Sequence, residues 1–298
     1  MKELIIFMGL PGSGKDSIIR TLYKGYNNIS SDAIRVELYG FEDQTHNGEV
    51  FEEMKKRVIA ASKNEECKVI YNATNLSRKR RVALASEMRK HFDIIKVVCC
   101  LCSIEELFKR NQTREERHLP ETKLTQMIKT IQLPNIHEFE YDDIVFYDTD
   151  DSQELEKDRL KSLMTYEQDN ENHSETLGNH IIRVMEGCEN DEVAQVAALY
   201  HDLGKPFCRE VWEDGYAHYR NHNIVSSLYY ALDCLRTNGK IYQRDYNIIL
   251  MIEFHDYIFN FDMDYDKMRE HYGHKYIGLS NDFWDSLITM MKADRRRP

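Results

Sequence analysis

Leu4-Ile-Ile-Phe-Met-Gly9-Leu-Pro-Gly12-Ser13-Gly14-Lys15-Asp16-Ser17 decides the fold of the first half of this 298-residue chain. A short apolar strand runs straight into a glycine-rich loop, and the loop opens an amphipathic stretch. Glycines let the backbone curl so that its N–H groups point at phosphate oxygens. The following helix adds partial positive charge at its N-terminus, and the lysine reaches the outer phosphates. The pattern predicts ATP, or another nucleoside triphosphate donor, held by Gly9, Gly12, Ser13, Gly14, Lys15, Asp16 and Ser17 with Mg²⁺ beside it. One position departs from the motif. A Ser or Thr is expected directly after the lysine as a Mg²⁺ ligand, and Asp16 stands there, followed by Ser17.

Outward from the loop, short apolar runs alternate with helical periodicity. Strands are predicted at 3–8, 27–31, 67–72, 93–101 and 143–147, with helices at 15–25, 49–64, 78–91 and 103–112. Strands separated by helices imply an α/β domain, a parallel sheet with helices on both faces, over residues 1–150. The acidic stretch 148–154 marks a boundary. Beyond it, 153–165, 175–188, 191–203, 223–238, 242–255 and 281–293 read as amphipathic helices, with an extended or hairpin interruption at 209–220. Residues 151–298 are therefore expected to form an all-α domain.

The charge balance is uneven: 23 Lys+Arg against 24 Asp+Glu up to residue 150, and 17 against 27 after it, for a net of −11. That argues against non-specific wrapping of duplex nucleic acid but allows a local basic cleft. The seven cysteines form no disulfide framework, which fits a reducing compartment. Neither a signal peptide nor an apolar run of about 20 residues is read, so the expected location is cytoplasmic, without a membrane.

Four further segments bear on the phosphate acceptor. Ser31-Asp32-Ala-Ile-Arg35 follows the second strand, and an Asp there is suited to take the proton of an attacking hydroxyl. Asn72-Ala-Thr74-Asn75 ends the third strand and leads into the basic run Arg78-Lys-Arg-Arg81, at a sheet edge where substrates bind. Lys109-Arg110-Asn111-Gln-Thr-Arg114-Glu-Glu-Arg117 has the layout of an arginine lid. Together these residues resemble the 5′-hydroxyl polynucleotide kinases, the phosphate-adding half of phage-type polynucleotide kinase-phosphatase, over residues 1–135. The resemblance implies that Lys15 and Arg114 act on the donor and transferred phosphates, that Asp32 is the general base, and that Arg35 contacts the acceptor strand. That family often carries an acidic residue just before its Thr-Asn, where this chain has Asn72-Ala73. Asp16 is accordingly expected to supply the Mg²⁺ carboxylate that position 72–73 does not offer.

Eight of the twelve histidines follow residue 170. Leu199-Tyr-His201-Asp202-Leu-Gly-Lys205-Pro ends an apolar helix on adjacent imidazole and carboxylate, a donor pair suited to borderline divalent ions. With His180 before it and Asp294 far behind, the pattern resembles the HD phosphohydrolase superfamily over residues 165–298. The segment His218-Tyr-Arg-Asn-His222 and then Glu253-Phe-His255 resembles its two-metal branch, including HD domains appended to tRNA nucleotidyltransferases. The resemblance implies one metal on His180, His201, Asp202 and Asp294. A second would sit on His222 and His255, bridged through Asp202, the ions being Mn²⁺, Ni²⁺, Co²⁺ or Fe²⁺. Asp202 and Lys205 are the expected catalytic residues, with Lys205 and Arg183 on substrate phosphate and His173 or His218 as an acid. His271 and His274 are read as surface residues, and the aromatics at 212–219 as hairpin packing rather than a base platform.

A hydroxyl kinase beside a metal phosphoesterase suggests nucleic-acid end healing, or RNA repair. The first domain would phosphorylate 5′-OH polynucleotide ends, and the second would hydrolyse 2′,3′-cyclic or 2′/3′-terminal phosphates. The partners expected are single-stranded or nicked RNA or DNA ends, tRNA among them, with a functional link to a nucleic-acid ligase. The alternative is a nucleotide-metabolism enzyme, a small-molecule kinase joined to an HD nucleotidase. A third reading makes the helical domain a non-catalytic nucleotide sensor.

Overall fold

The computed structural model describes every residue except 42–43, 115–116, 139, 170–174 and 296–298. The chain divides into two compact units, Met1–Met127 with Ile131–Asp150, and Ile128–Thr130 with Asp151–Pro298.

The first unit runs β1 (Lys2–Met8), α1 (Lys15–Leu22), β2 (Asn27–Ser30), α2 (Ser31–Tyr39), α3 (Asn47–Ala61), β3 (Cys67–Asn72), α4 (Arg78–Met88), β4 (Ile94–Leu101), α5 (Ile104–Gln112), α6 (Glu121–Ile128) and β5 (Asp143–Asp148). The five strands form one parallel sheet in the order β2-β3-β1-β4-β5. β1 lies at its centre, with Phe7 opposite Asn72 on one side and Val98 on the other. Strands covered on both faces read as continuous apolar runs, and Leu4 to Met8 are all buried. On one face Ile5, Phe7, Ile70, Val98 and Cys100 pack against Ile19 of α1. The cysteines are free thiols.

Parallel strands bring their carboxyl ends to one edge. β3 and β4 flank β1 on opposite sides, so the crevice that collects ligands opens where β1 ends, at Gly9. Helices α2 and α6 fall outside the predicted elements. In α2 only Ser31, Ile34 and Arg35 are buried, too few apolar positions to set a helical period.

The second unit contains a 3₁₀ turn at Glu156–Arg159, α7 (Leu160–Leu163), α8 (Leu177–Glu186), α9 (Glu192–Tyr200), α10 (Lys205–Cys208), a two-stranded hairpin of β6 (Glu210–Val211) and β7 (Ala217–His218), α11 (His222–Asn238), α12 (Gln243–Phe254), α13 (Tyr265–Gly273) and α14 (Asn281–Asp294). The helix expected over 153–165 is thus reduced to a 3₁₀ turn and a single short helix. α11 is the core element, buried from His222 to Leu235. Its buried Asp233 accepts the N–H groups of Glu156 (2.7 Å) and Lys157 (3.0 Å) and the Tyr200 hydroxyl (2.7 Å), pinning the 3₁₀ turn and the end of α9 to one carboxylate. Among the described residues no helix is long and apolar enough to cross a membrane.

Gly204 lets the turn after His201-Asp202 press onto α11. Its N–H donates to Ser226 Oγ at 2.9 Å, and a Cβ there would strike His222 O and lie 2.9 Å from Ser226 N. Both obstacles are backbone or fixed to it. Gly204→Ala is therefore expected to destabilise the protein by about 1–3 kcal/mol through overpacking, read as a lower urea midpoint at unchanged slope.

Candidate functional sites

The first site is built at the end of β1. Gly9 sits at φ 155° and Gly14 at φ 77°. A Cβ on Gly9 would strike Ser13 Oγ and lie 2.7 Å from Cys100 O, so the loop closes only without one. Lys15 Nζ donates to Gly9 O (2.8 Å) and Leu10 O (3.1 Å), folding its ammonium back over the loop. Burial pushes that ammonium down from its ordinary pKa, against the pull of nearby Asp16 and Asp32. Thr74 O takes the Gly9 N–H (3.1 Å), and Asn75, itself at φ 47°, donates to Phe7 O (2.6 Å). The Thr-Asn pair therefore props the loop from below.

A cleft of about 1050 Å³ opens over this loop and is lined by Lys15, Asp16, Asp32, Arg35, Arg114 and Arg117 among others. Asp32 lies in the first turn of α2, but the helix is capped by Ser30, whose Oγ accepts from Ala33 N, so the Asp32 carboxylate is not spent on capping. Arg35 donates to Asp32 Oδ1 (3.2 Å) and to Asn47 Oδ1 (2.6 Å) and is 4% exposed. Its visible work is to orient Asp32. Of the lid residues, Arg110 is committed elsewhere: it clamps Gly12 O (3.1 Å), Thr149 O (2.6 Å) and Glu106 (2.8 Å). Lys109 pairs with Glu106 on the surface. Arg114 is different. Its Nη1, like Ser13 Oγ, is shielded from solvent with no hydrogen-bond partner among the described residues. Two donors waiting beside a glycine loop fit a phosphate group, which brings several acceptor oxygens.

The basic run at 78–81 does not line the cleft. Arg81 is 1% exposed and donates to Asn75 O at 2.8 Å, and Arg78 lies 3.3 Å from the buried Glu138 carboxylate. Charge in the sequence was no guide to exposure there.

Asp16 accepts from Asn72 Nδ2 at 3.1 Å. One carboxylate and one neutral polar side chain thus face each other at the loop mouth. Asp16 would hold Mg²⁺ together with Ser17, whose Oγ now accepts from Arg20 at 3.2 Å.

The second site is buried among helices. His180 lies in α8, His201 caps the C-terminus of α9, Asp202 follows it, His222 starts α11, His255 caps α12 and Asp294 ends α14. Their ligand atoms converge. The Nε2 atoms of His180 and His201 are 3.2 Å apart, as are those of His222 and His255. Asp202 faces both pairs: Oδ2 lies 3.1 Å from His180 and 3.3 Å from His201, while Oδ1 lies 2.9 Å from His222 and 3.8 Å from His255. Asp294 Oδ1 is 3.0 Å from His180 and 3.5 Å from His201.

The tautomers are set by the backbone. Nδ1 of His201 donates to Ala198 O (2.7 Å), that of His222 to Tyr219 O (2.8 Å) and that of His255 to Ile252 O (2.7 Å). A carbonyl only accepts, so each Nδ1 carries a hydrogen and each Nε2 is the nitrogen that a metal ion would take in place of a proton. At metal–nitrogen distances of about 2.0–2.1 Å, two nitrogens 3.2 Å apart subtend about 100° at the ion, a normal coordination angle. The donor set therefore fits two divalent cations of the borderline class, sharing Asp202.

Electrostatics agree. Burial alone would push the Asp202 and Asp294 carboxyls up, but His201 and Lys205 beside Asp202, and His180 and His201 on Asp294, hold both well below the usual carboxylate range. Burial opposes charge on His201 as well, yet Asp202 and Asp294 outweigh it and hold the imidazole at about 10. The centre calls for positive charge.

Three expected roles change. Lys205 Nζ lies 2.7 Å from Asp202 Oδ2 and 3.0 Å from Gln168 Oε1 and is 5% exposed, so it steadies the carboxylate instead of reaching for a substrate phosphate. Arg183 is tied to Glu175 (2.8 Å), Ala293 O (3.1 Å) and His180 Nδ1 (2.9 Å), which orients His180. His218 pairs with Asp214 (2.8 Å) and stacks on Trp212 at 3.7 Å, with Arg220 over the same indole at 4.3 Å. Both partners make Trp212 a hairpin element. His173 lies outside the described residues. His271 and His274 are exposed.

A family model described as an AAA domain matches residues 4–134, and no curated protein matches the chain. Two of the solved structures that the chain is similar to are kinases by their descriptions. One is a sugar kinase from Janibacter sp. HTCC2649, with 18% identity, 50% of this chain and 86% of that chain covered, and a TM-score of 0.38. The other is a gluconokinase from Sinorhizobium meliloti 1021, with 21% identity, 51% and 85% covered, and a TM-score of 0.37.

The Asp16–Asn72 pair generates a direct test. Asp16→Ser should weaken Mg²⁺-dependent ATP binding at least tenfold while leaving metal-free ATP binding within about threefold, and adding Asn72→Asp should restore most of the loss. Calorimetric titration with and without Mg²⁺ reads both. Unchanged Mg²⁺ dependence in the single variant would remove Asp16 from the metal site.

Proposed function

We propose that this chain joins an ATP-dependent hydroxyl kinase to a two-metal phosphohydrolase of the HD kind. The observation that carries the first half is the grouping of Lys15, Asp32 and the unpartnered Arg114 guanidinium nitrogen around one cleft. Lys15 and the loop N–H groups hold the donor phosphates. Asp32, oriented by Arg35, accepts the proton of the attacking hydroxyl, and Arg114 offsets charge on the transferring group. In the second half, bound divalent ions would make water acidic enough to attack at neutral pH and would stabilise charge on a phosphoryl oxygen. Asp202 holds both positions, and Lys205 keeps that carboxylate ionised and in place.

For the acceptor, the nucleotide-metabolism reading has the stronger support: a small hydroxyl compound for the kinase and a nucleotide phosphoester for the hydrolase. Of the basic run that would have gripped an oligonucleotide, Arg81 is taken up by Asn75 and Arg78 by Glu138, and the exposed Lys79 and Arg80 do not line the cleft. A polynucleotide end is a second reading, favoured by Arg117, which lines the cleft 4.0 Å from Asp32 and is half exposed, together with Arg114 and Lys123.

Incubation with ATP, Mg²⁺ and Mn²⁺ separates the two. One arm holds a panel of nucleosides, nucleotides and polyols, the other an RNA oligonucleotide with a 5′-OH and a 2′,3′-cyclic phosphate, and mass spectrometry reads the products. Phosphorylation confined to small compounds supports the first reading, and a gain of 5′-phosphate on the oligonucleotide establishes the second. In either arm Asp32→Asn should lower kcat by roughly 10²–10⁴-fold with the KM for ATP nearly unchanged. Asp202→Ala should abolish hydrolysis and leave phosphoryl transfer intact. A Lys15→Ala protein that still transfers phosphate at the parent rate would overturn the kinase assignment.

A further inference from the structure

Asp256 follows His255 directly, so the chain repeats at the end of α12 the His-Asp doublet found at 201–202. The repetition extends to geometry. Asp256 Oδ2 lies 3.3 Å from His222 Nε2, and Oδ1 lies 3.4 Å from His255 Nε2. Those are the nitrogens left for a metal ion once the Nδ1 hydrogens are given to Tyr219 O and Ile252 O. They are also the nitrogens that Asp202 Oδ1 approaches, at 2.9 Å and 3.8 Å.

Around the second position there are thus two imidazoles, the shared Asp202 and a carboxylate of its own. This matches the first position donor for donor, with Asp256 standing where Asp294 stands. We propose, resting on the two-metal reading above, that Asp256 is the fourth protein ligand of the second metal ion. Two consequences follow from coordination chemistry. Each ion would have four protein donors, which fills the tetrahedral set that Zn²⁺ prefers but leaves two positions open on an ion that takes six. Each half would also carry its own terminal carboxylate, so neither divalent charge rests on the shared Asp202 alone. The centre should therefore select Mn²⁺, Fe²⁺, Co²⁺ or Ni²⁺ over Zn²⁺ for function while still binding Zn²⁺.

The experiment counts metals, independently of any activity. The full-length chain is stripped with chelator and titrated with Mn²⁺ by equilibrium dialysis, with low-temperature electron paramagnetic resonance to tell an exchange-coupled pair from isolated ions. The parent protein should take up two ions per chain and show the coupled signal. Asp256→Asn should keep one tight site, weaken the second about tenfold or more, and replace the coupled signal with that of a single ion. Asp256→Glu, which retains the carboxylate, should recover the second ion at least in part, and this separates ligation from a loss of folding. Two ions bound to Asp256→Asn with parent affinity and coupling would overturn the assignment while leaving the two-metal centre standing. Fewer than two ions on the parent protein would overturn the two-metal reading, and the role of Asp256 with it.

Discussion

Asp202 carries a carboxylate into the interior of the helical unit, 2% exposed, with one oxygen toward each histidine pair. An isolated buried charge of that kind costs several kcal/mol, so the fold around it must deliver compensating donors. α8, α9, α11, α12 and α14 each bring one residue to this point or to its neighbour Asp294, and Lys205 closes the set. The apolar faces of these helices set how they pack, while the carboxylate restricts which residue each can present at the point of contact. Replacing His180 or His201 by an apolar residue would therefore strand a charge and open a cavity together.

Placement at helix ends makes this economical. The last carbonyls of a helix have no partner within it. At the ends of α9 and α12 those of Ala198 and Ile252 take the Nδ1 hydrogens of His201 and His255. One bond satisfies the helix terminus and also fixes the imidazole so that Nε2 faces the centre. The partial negative charge of a helix C-terminus favours a cation in the same place. The loop of the first unit uses the opposite polarity: β1 ends at Gly9, α1 begins at Lys15, and a helix N-terminus is presented to phosphate.

Much of this was legible from residue order. Strand positions followed from apolar runs, because parallel strands are covered on both faces, and the phosphate loop and the His-Asp doublet announced themselves by spacing. The short helices α2, α6 and α13 were not legible. α13 buries only Met268, and a single apolar contact sets no period. Asp256 was passed over for a related reason: its role depends on two histidines from α11 and α12 meeting, and adjacency to His255 alone does not say so. The histidines that the resemblance grouped do converge, each carried in or at the end of a predicted helix.

The cations singled out by pattern share one behaviour. Arg35, Arg81, Arg183 and Lys205 are each expected to meet a substrate, and each holds a protein group: Asp32, Asn75, Glu175 and Asp202 respectively. A positive charge near a carboxylate or carbonyl oxygen lowers its energy whether or not substrate is present, so motif cations are drawn first to the oxygens they accompany. A cation reserved for substrate should show the converse, a guanidinium or ammonium enclosed by the site yet lacking a protein acceptor. An unmade hydrogen bond of that kind costs about 1–3 kcal/mol, which the fold tolerates only where ligand binding recovers it. Arg114 meets that condition in the loop cleft, since its Nη1 is enclosed with no acceptor among the described residues. Arg35 and Arg81 also leave buried nitrogens unbonded among the described residues, but each spends another nitrogen on a protein group, so the proposed role of Arg114 on the transferred phosphate, which the motif also implied, rests on its place in the cleft.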